Sequence, residues 1–287
     1  MGRFRLPEAI PDLESQRKNE EKKRVPAMIL KSSTSHISGC SGYCARCGRD
    51  HSLPMEPALE AAHELMRTLE REDRIDLHVP RSEADPAFSL DYLRGEARGQ
   101  MFGVLVYEDA SGRRGAFRAF SCQYNGVWEV PEWVPPVFDV TAFHALVDPV
   151  EREIKGLGRK IEEPGHEETR RALVRRRREM SRELMREIHG LYRLHNFRGE
   201  LQPMAEVFQG AGNMPTGTGD CCAPKLLQHA AVRGVRPLGL AEFYLGRENR
   251  SGTRRHGVVY PACEEKCRPI LGFQLCGIDK LLLQDNQ

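Results

Sequence analysis

Two segments in the last third of the chain hold the residues best suited to chemistry. They are Thr216-Gly-Thr-Gly-Asp220-Cys221-Cys222-Ala223-Pro224-Lys225 and Tyr260-Pro261-Ala262-Cys263-Glu264-Glu265-Lys266-Cys267. Each places cysteine where a loop is expected to become a helix, and the positive end of a helix dipole favours the thiolate there. Pro224 suits a first helical turn and Gly234 a helix stop, which predicts a helix over 224–233. Pro261 suits a second helix start, and the four-residue spacing of Cys263 and Cys267 would put both on one face of a helix over 263–276. A single strand over 238–245 separates the two. Cys263, Cys267 and at least one of Cys221 and Cys222 are therefore expected to converge on a zinc ion. Three thiolates with an open position would be a catalytic arrangement; four would close the site. The bland alternative is that these cysteines are small buried hydrophobes.

Hydrolytic chemistry at such a metal also needs a carboxylate to carry protons. Asp220 and Glu242 are the candidates. Asp220 precedes the predicted helix and could simply cap it. Glu242 lies mid-strand in Ala241-Glu242-Phe243-Tyr244, where one glutamate ordinarily faces solvent.

A second cluster lies near the other end. Cys40, Cys44, Cys47 and His51 fall within twelve residues, with Gly39, Gly42 and Gly48 permitting tight turns. Three thiolates and an imidazole predict a closed structural zinc knot, whose loss should unfold that segment and spare the C-terminal core. The spacing Cys-x-x-x-Cys-x-x-Cys is also that of the radical-SAM cluster loop. Those enzymes need a large β/α barrel after the loop, whereas one helix and a hairpin are predicted here.

Arginines supply the third feature. Arg247, Arg250, Arg254 and Arg255 crowd the loop before the second cysteine segment, with Glu248 the one acid among them. Phosphate contacts there would bring RNA to the pocket, against the alternative of a merely solvated loop. The arginines of 170–186 are interleaved with glutamates at helical spacing and read as an ion-paired, solvated face.

The elements that must hold these residues follow from local pattern. Residues 1–35, rich in charge and serine, predict a flexible arm. Residues 36–75 combine the knot with a helix striped by Leu59, Ala62, Leu65, Met66 and Leu69. Residues 76–287 read as one α/β (α+β) domain. It opens on a β-hairpin over 101–121 turning at Asp109-Ala-Ser-Gly112, and a helical hairpin at about 148–200, broken near Pro164-Gly165, is inserted in it.

Bulk properties limit the classes of function. At 287 residues and 40% hydrophobic content the chain can build an ample core, and no apolar run approaches the ~20 residues of a membrane span. Met1 to Lys31 is too polar for a secretory signal. A cytoplasmic location is expected, where nine cysteines read as thiols or metal ligands rather than disulfides. A net charge of +2 gives no global pull toward nucleic acid, so local basic runs must do that work.

The order of hairpin, cysteine helix, strand and cysteine helix resembles the cytidine-deaminase superfamily. Its members carry a His or Cys ligand with Glu two residues later, then Pro-Cys-x-x-Cys. Here the second motif is one residue longer, and the positions two after Cys221 and Cys222 are Ala223 and Pro224. No deamination of free cytidine or adenosine is then expected unless Asp220 or Glu242 reaches the open position.

Gly99-Gln-Met-Phe-Gly-Val-Leu-Val106, Gly217-Thr-Gly-Asp-Cys-Cys-Ala-Pro-Lys-Leu-Leu227, Ala241-Glu242-Phe243 and Tyr260-Pro-Ala-Cys-x-x-x-Cys-x-Pro-Ile-Leu-Gly272 are similar to the N-terminal extension of some RluA-type pseudouridine synthases. With the long charged helices, this resemblance covers about two thirds of the chain. It implies a module connected with modification of ribosomal or transfer RNA, with a separate RNA-modifying enzyme as a further partner. It does not imply pseudouridine synthesis, because the Arg-Leu-Asp segment carrying that family's catalytic aspartate is absent here. The expected function is an RNA- or nucleotide-directed zinc module. The alternatives are a zinc-dependent deaminase or hydrolase using Asp220 or Glu242, and a structural or protein-docking module.

Overall fold

The computed structural model describes residues 38–282, so the expected arm over 1–35 lies outside the described residues. The first Cys/His segment is a β-hairpin, Ser38–Cys44 (β1) against Arg49–Pro54 (β2). Gly48 in its turn has φ +70°, a conformation that glycine adopts without steric cost. The expected helix runs Glu56–Glu72 (α1), with a proline in its first turn and Asp73 as a left-handed C-cap. It buries Ala58, Ala62, Leu65, Met66 and Leu69, while Leu59 is only partly covered.

A one-turn helix, Asp91–Arg94 (α2), leads to Gly99–Glu108 (β3) and Arg114–Phe120 (β4). These form the expected hairpin. Its turn is closed by Asp109 Oδ1, which accepts from the backbone N–H groups of Ser111 (2.8 Å) and Arg113 (3.1 Å). The inserted helices are Val140–Glu162 (α3) and Glu167–Gly190 (α4), interrupted beside Pro164-Gly165 as predicted. A small strand pair, Arg193–His195 (β5) and Leu201–Pro203 (β6), and a single turn, Met204–Val207 (α5), follow.

The last section contains Cys222–Arg233 (α6), Arg236–Gly246 (β7), Val258–Tyr260 (β8), Arg268–Leu275 (α7) and Ile278–Leu282 (α8). Gly234 ends α6 in the left-handed region at φ 64°, as its position predicts. The helix expected over 263–276 is shorter. Residues 264–267 form a turn, Cys267 is the N-cap, and Pro269 rather than Pro261 occupies the first helical turn.

The main sheet has the order β4-β3-β7-β8 and is antiparallel throughout, which makes the fold mixed α/β. Strand β7 is its centre and is covered on both faces. Ala241, Phe243 and Leu245 pack with Phe102 and Val104 against α1. Leu240 packs with Leu105 against Leu226 of α6 and Leu271 of α7. Because side chains alternate along a strand, Glu242 falls on the same face as Leu240, beneath the two cysteine-bearing helix entrances.

Helix α7 lies backbone to backbone on β1. A Cβ built on Gly272 would meet the Tyr43 carbonyl oxygen at 2.0 Å, and one on Gly42 would meet the Gly272 nitrogen at 2.4 Å. Alanine inside a helix ordinarily gains about 1 kcal/mol over glycine. Here the neighbour is a strand backbone that cannot rotate away, so overpacking should win. Gly272→Ala is expected to destabilise by about 1–3 kcal/mol, read as a lowered urea midpoint. An unchanged or raised midpoint would show that this contact is not tight.

Candidate metal centres

Cys221, Cys263 and Cys267 converge, with sulfurs all within 4.8 Å of one another. Cys221 is the N-cap of α6 and Cys267 the N-cap of α7, and Cys263 lies just before the turn leading into α7. The three side chains are hydrogen-bonded to one another. Hydrogen bonds from Cys221 and then Cys267 hold the Cys263 thiol far below its ordinary range. The hydrogen bond to Cys263 pushes Cys221 up, and the bond with Cys221 does the same for Cys267, burial adding to both.

Cys222 does not join them. Successive residues at a helix start point about 100° apart, and its buried sulfur faces the carbonyls of Met101 (3.4 Å) and Ala119 (3.7 Å). Gly103 of β3 makes room for it, since a Cβ there would come within 2.6 Å of the Cys222 Cβ.

Glu242 is not solvent-facing, as a lone strand glutamate would be; it is 2% exposed. Its Oε1 accepts the backbone N–H of Ala223 at 2.8 Å, in the first turn of α6. Burial raises its carboxyl to about 8; the Ala223 bond works against the rise and the Cys263 charge adds to it. Its oxygens lie outside the three-sulfur group. Asp220 neither caps α6 nor joins the sulfurs. Its Oδ1 accepts from the Tyr192 hydroxyl at 2.5 Å, and burial raises its carboxyl too.

The second centre differs from its expected composition. Cys44, Cys47, His51 and Cys276 have ligand atoms within 4.8 Å of one another, and Cys40 is not among them. The reason is the strand. Cys40 and Cys44 lie on β1, where four residues span about 13 Å, too far apart to share one ion. Cys40 instead packs in the core with Leu53 and Leu240, and burial raises its thiol. Its place is taken by Cys276, the C-cap of α7. His51 Nε2 lies 3.1 Å from Cys47 Sγ, and its Nδ1 lies 3.1 Å from Asp279 Oδ2 on α8. Burial opposes the Cys47 thiolate, but hydrogen bonds from His51, the Arg49 backbone and Cys276 outweigh it and bring the thiol to about 6. Burial, then the bond to Cys47, raises Cys276 to about 12. Either group of residues could hold a metal ion.

The arginine loop joins β7 to β8. Asn249 Oδ1 shapes it by accepting from the backbone N–H groups of Thr253 (2.9 Å) and Arg254 (3.0 Å). The Arg254 guanidinium stacks 4.4 Å from the Tyr260 ring, and Tyr260 is the register partner of Glu242. Arg247, Arg250 and Arg255 are exposed; Arg247 donates to the Gly95 carbonyl and Arg255 pairs with Glu248.

Among the described residues no helix is long and apolar enough to cross a membrane. Comparison with family models, curated proteins and solved structures found no match to this chain.

Proposed function

We propose that this chain is a zinc-containing module directed at RNA or a nucleotide, with a deaminase-like core and a hydrolytic site at Cys221, Cys263 and Cys267. The carrying observation is the convergence of those three sulfurs at two helix entrances, with the buried carboxyl of Glu242 on the first turn of α6. Sulfurs around a tetrahedral zinc at about 2.3 Å lie about 3.8 Å apart, which the three separations accommodate. When bound, zinc held by three protein ligands supplies a water of lowered pKa and a Lewis acid. The protein's own residues supply the rest. In the deaminase superfamily the proton-carrying Glu stands two residues after the first ligand. That position is Ala223 here, and Glu242 reaches it from β7 through the Ala223 N–H. A carboxyl raised to about 8 exchanges its proton near neutral pH: the ionised form can take a proton from water and the protonated form can give one to a leaving amine.

The basic loop supports the RNA part of the reading, as does the resemblance of 217–227 and 260–272 to the extension of RluA-type synthases. A cytoplasmic location fits cysteines that are all free among the described residues. We expect single-stranded or structured RNA to bind in the micromolar range or tighter at low salt. Binding should weaken with salt at a log–log slope of about −0.7 to −0.9 per phosphate contacted. Replacing Arg247, Arg250, Arg254 and Arg255 together by Ala should remove most of the affinity and flatten that slope, as measured by fluorescence anisotropy. Unchanged binding would move the contact to α3 and α4. No binding at any salt would remove RNA from the reading.

A further inference from the structure

We propose that Cys44, Cys47, His51 and Cys276 form a closed metal clasp whose occupancy sets the metal affinity of the three-sulfur centre, with α7 as the strut between them. The proposal rests on the reading that Cys221, Cys263 and Cys267 bind metal.

The clasp has the chemistry of a structural site. Three sulfurs and one imidazole complete a tetrahedron and leave no open position. The carboxylate of Asp279 faces His51 Nδ1, which leaves Nε2 for the metal, the usual outer-shell arrangement that fixes a ligating histidine. Three of the four donors sit on the β1–β2 hairpin. A two-stranded hairpin is marginal on its own, so a bound ion would hold it in place.

Helix α7 connects the two centres directly. Its N-cap, Cys267, belongs to the three-sulfur group, and its C-cap, Cys276, belongs to the clasp. Eight helical residues span about 12 Å, and the helix cannot shift easily between its ends. Ile270 to Leu275 are buried without a break. Gly272 lies against the β1 backbone, and Gln274 Nε2 donates to the Pro224 carbonyl of α6 at 2.9 Å. The last contact ties α7 to the helix that starts at Cys221. Anchoring Cys276 therefore fixes the position of Cys267 relative to both Cys263 and Cys221. Thermodynamic linkage makes the effect reciprocal.

The test is zinc stoichiometry and affinity, by competition with a chromophoric chelator, on the full chain. Wild type should bind two zinc ions. Cys276→Ser should bind one, about tenfold more weakly than wild type holds the ion of its three-sulfur centre, and Cys221→Ser should weaken the clasp by the same factor. Asp279→Asn guards against misfolding, since it keeps all four donors. It should lower clasp affinity by about 10–100-fold, yet leave the other centre normal once zinc saturates the clasp. If the ion remaining in folded Cys276→Ser is held as tightly as in wild type, the coupling is overturned and the three-sulfur reading stands. If wild type binds one ion and Cys276→Ser none, the three-sulfur reading fails and the coupling with it.

Discussion

Cys44→Ser is expected to remove one metal ion per chain and to destabilise the protein by more than ~3 kcal/mol, since structural zinc contributes about 10–16 kcal/mol of apparent binding energy in small zinc domains. Cys40→Ser is expected to retain the full metal content. Its cost should be about 1–3 kcal/mol, that of leaving a buried hydroxyl poorly satisfied. The contrast follows from β1, which sends Cys44 to the clasp and Cys40 into the core beside Leu53 and Leu240. The Cys44 effect should also spread beyond the hairpin. Gly42 and Tyr43 lie against α7, and Cys276 ends that helix, so the ion joins the hairpin to the rest of the fold. Urea unfolding followed by far-ultraviolet circular dichroism should show one shifted transition rather than a small early one. Metal lost from Cys40→Ser and kept in Cys44→Ser would reverse the ligand assignment.

What the sequence made legible was local. The α1 stripe, the Asp-x-Ser-Gly turn between β3 and β4, the break at Pro164-Gly165 and the Gly234 stop each depend on residues within a few positions of one another. The three-sulfur group was legible for a similar reason: β7 and β8, adjacent in the sheet, are all that separates the two helices, which leaves little freedom in how their entrances meet. The errors share a different cause. Spacing alone groups Cys40 with Cys44, and spacing has one meaning in a loop and another on an extended strand. Cys276 carried no signal, because a ligand brought in from the far end of a fold obeys no spacing rule. The helix starts later than expected because both Pro261 and Pro269 suit a first turn, and the turn over 264–267 decides between them. For Glu242 the candidate acid and the ordinary solvent-facing glutamate are indistinguishable in sequence, because alternation tells which strand residues share a face, not whether that face is covered. Packing by α6 and α7 decides that, and it turns an ordinary surface glutamate into a buried acid.

That burial makes Glu242→Gln the most informative substitution. A carboxyl raised to about 8 in the fold and near 4.3 in the unfolded chain binds more protons when folded across that interval. Stability should therefore be full below about pH 4.3 and should fall as pH rises toward 8, by an amount on the order of a few kcal/mol at about 1.4 kcal/mol per unit. Gln mimics the neutral acid, so Glu242→Gln should remove the part of the slope that Glu242 supplies and equal or exceed wild type in stability at pH 8. Catalysis should respond in the opposite direction. If the site releases ammonia from cytidine, adenosine or RNA, Glu242→Gln should lower the rate by about 10²–10⁴-fold with zinc content intact. Asp220→Asn should affect stability through the Tyr192 hydrogen bond and leave that rate largely unchanged. A flatter pH slope in Glu242→Gln, with no ammonia released by wild type from any of these substrates, would keep the buried acid and discard the enzyme. The carboxyl would then serve α6 by accepting the Ala223 N–H, and the three-sulfur centre would be a scaffold.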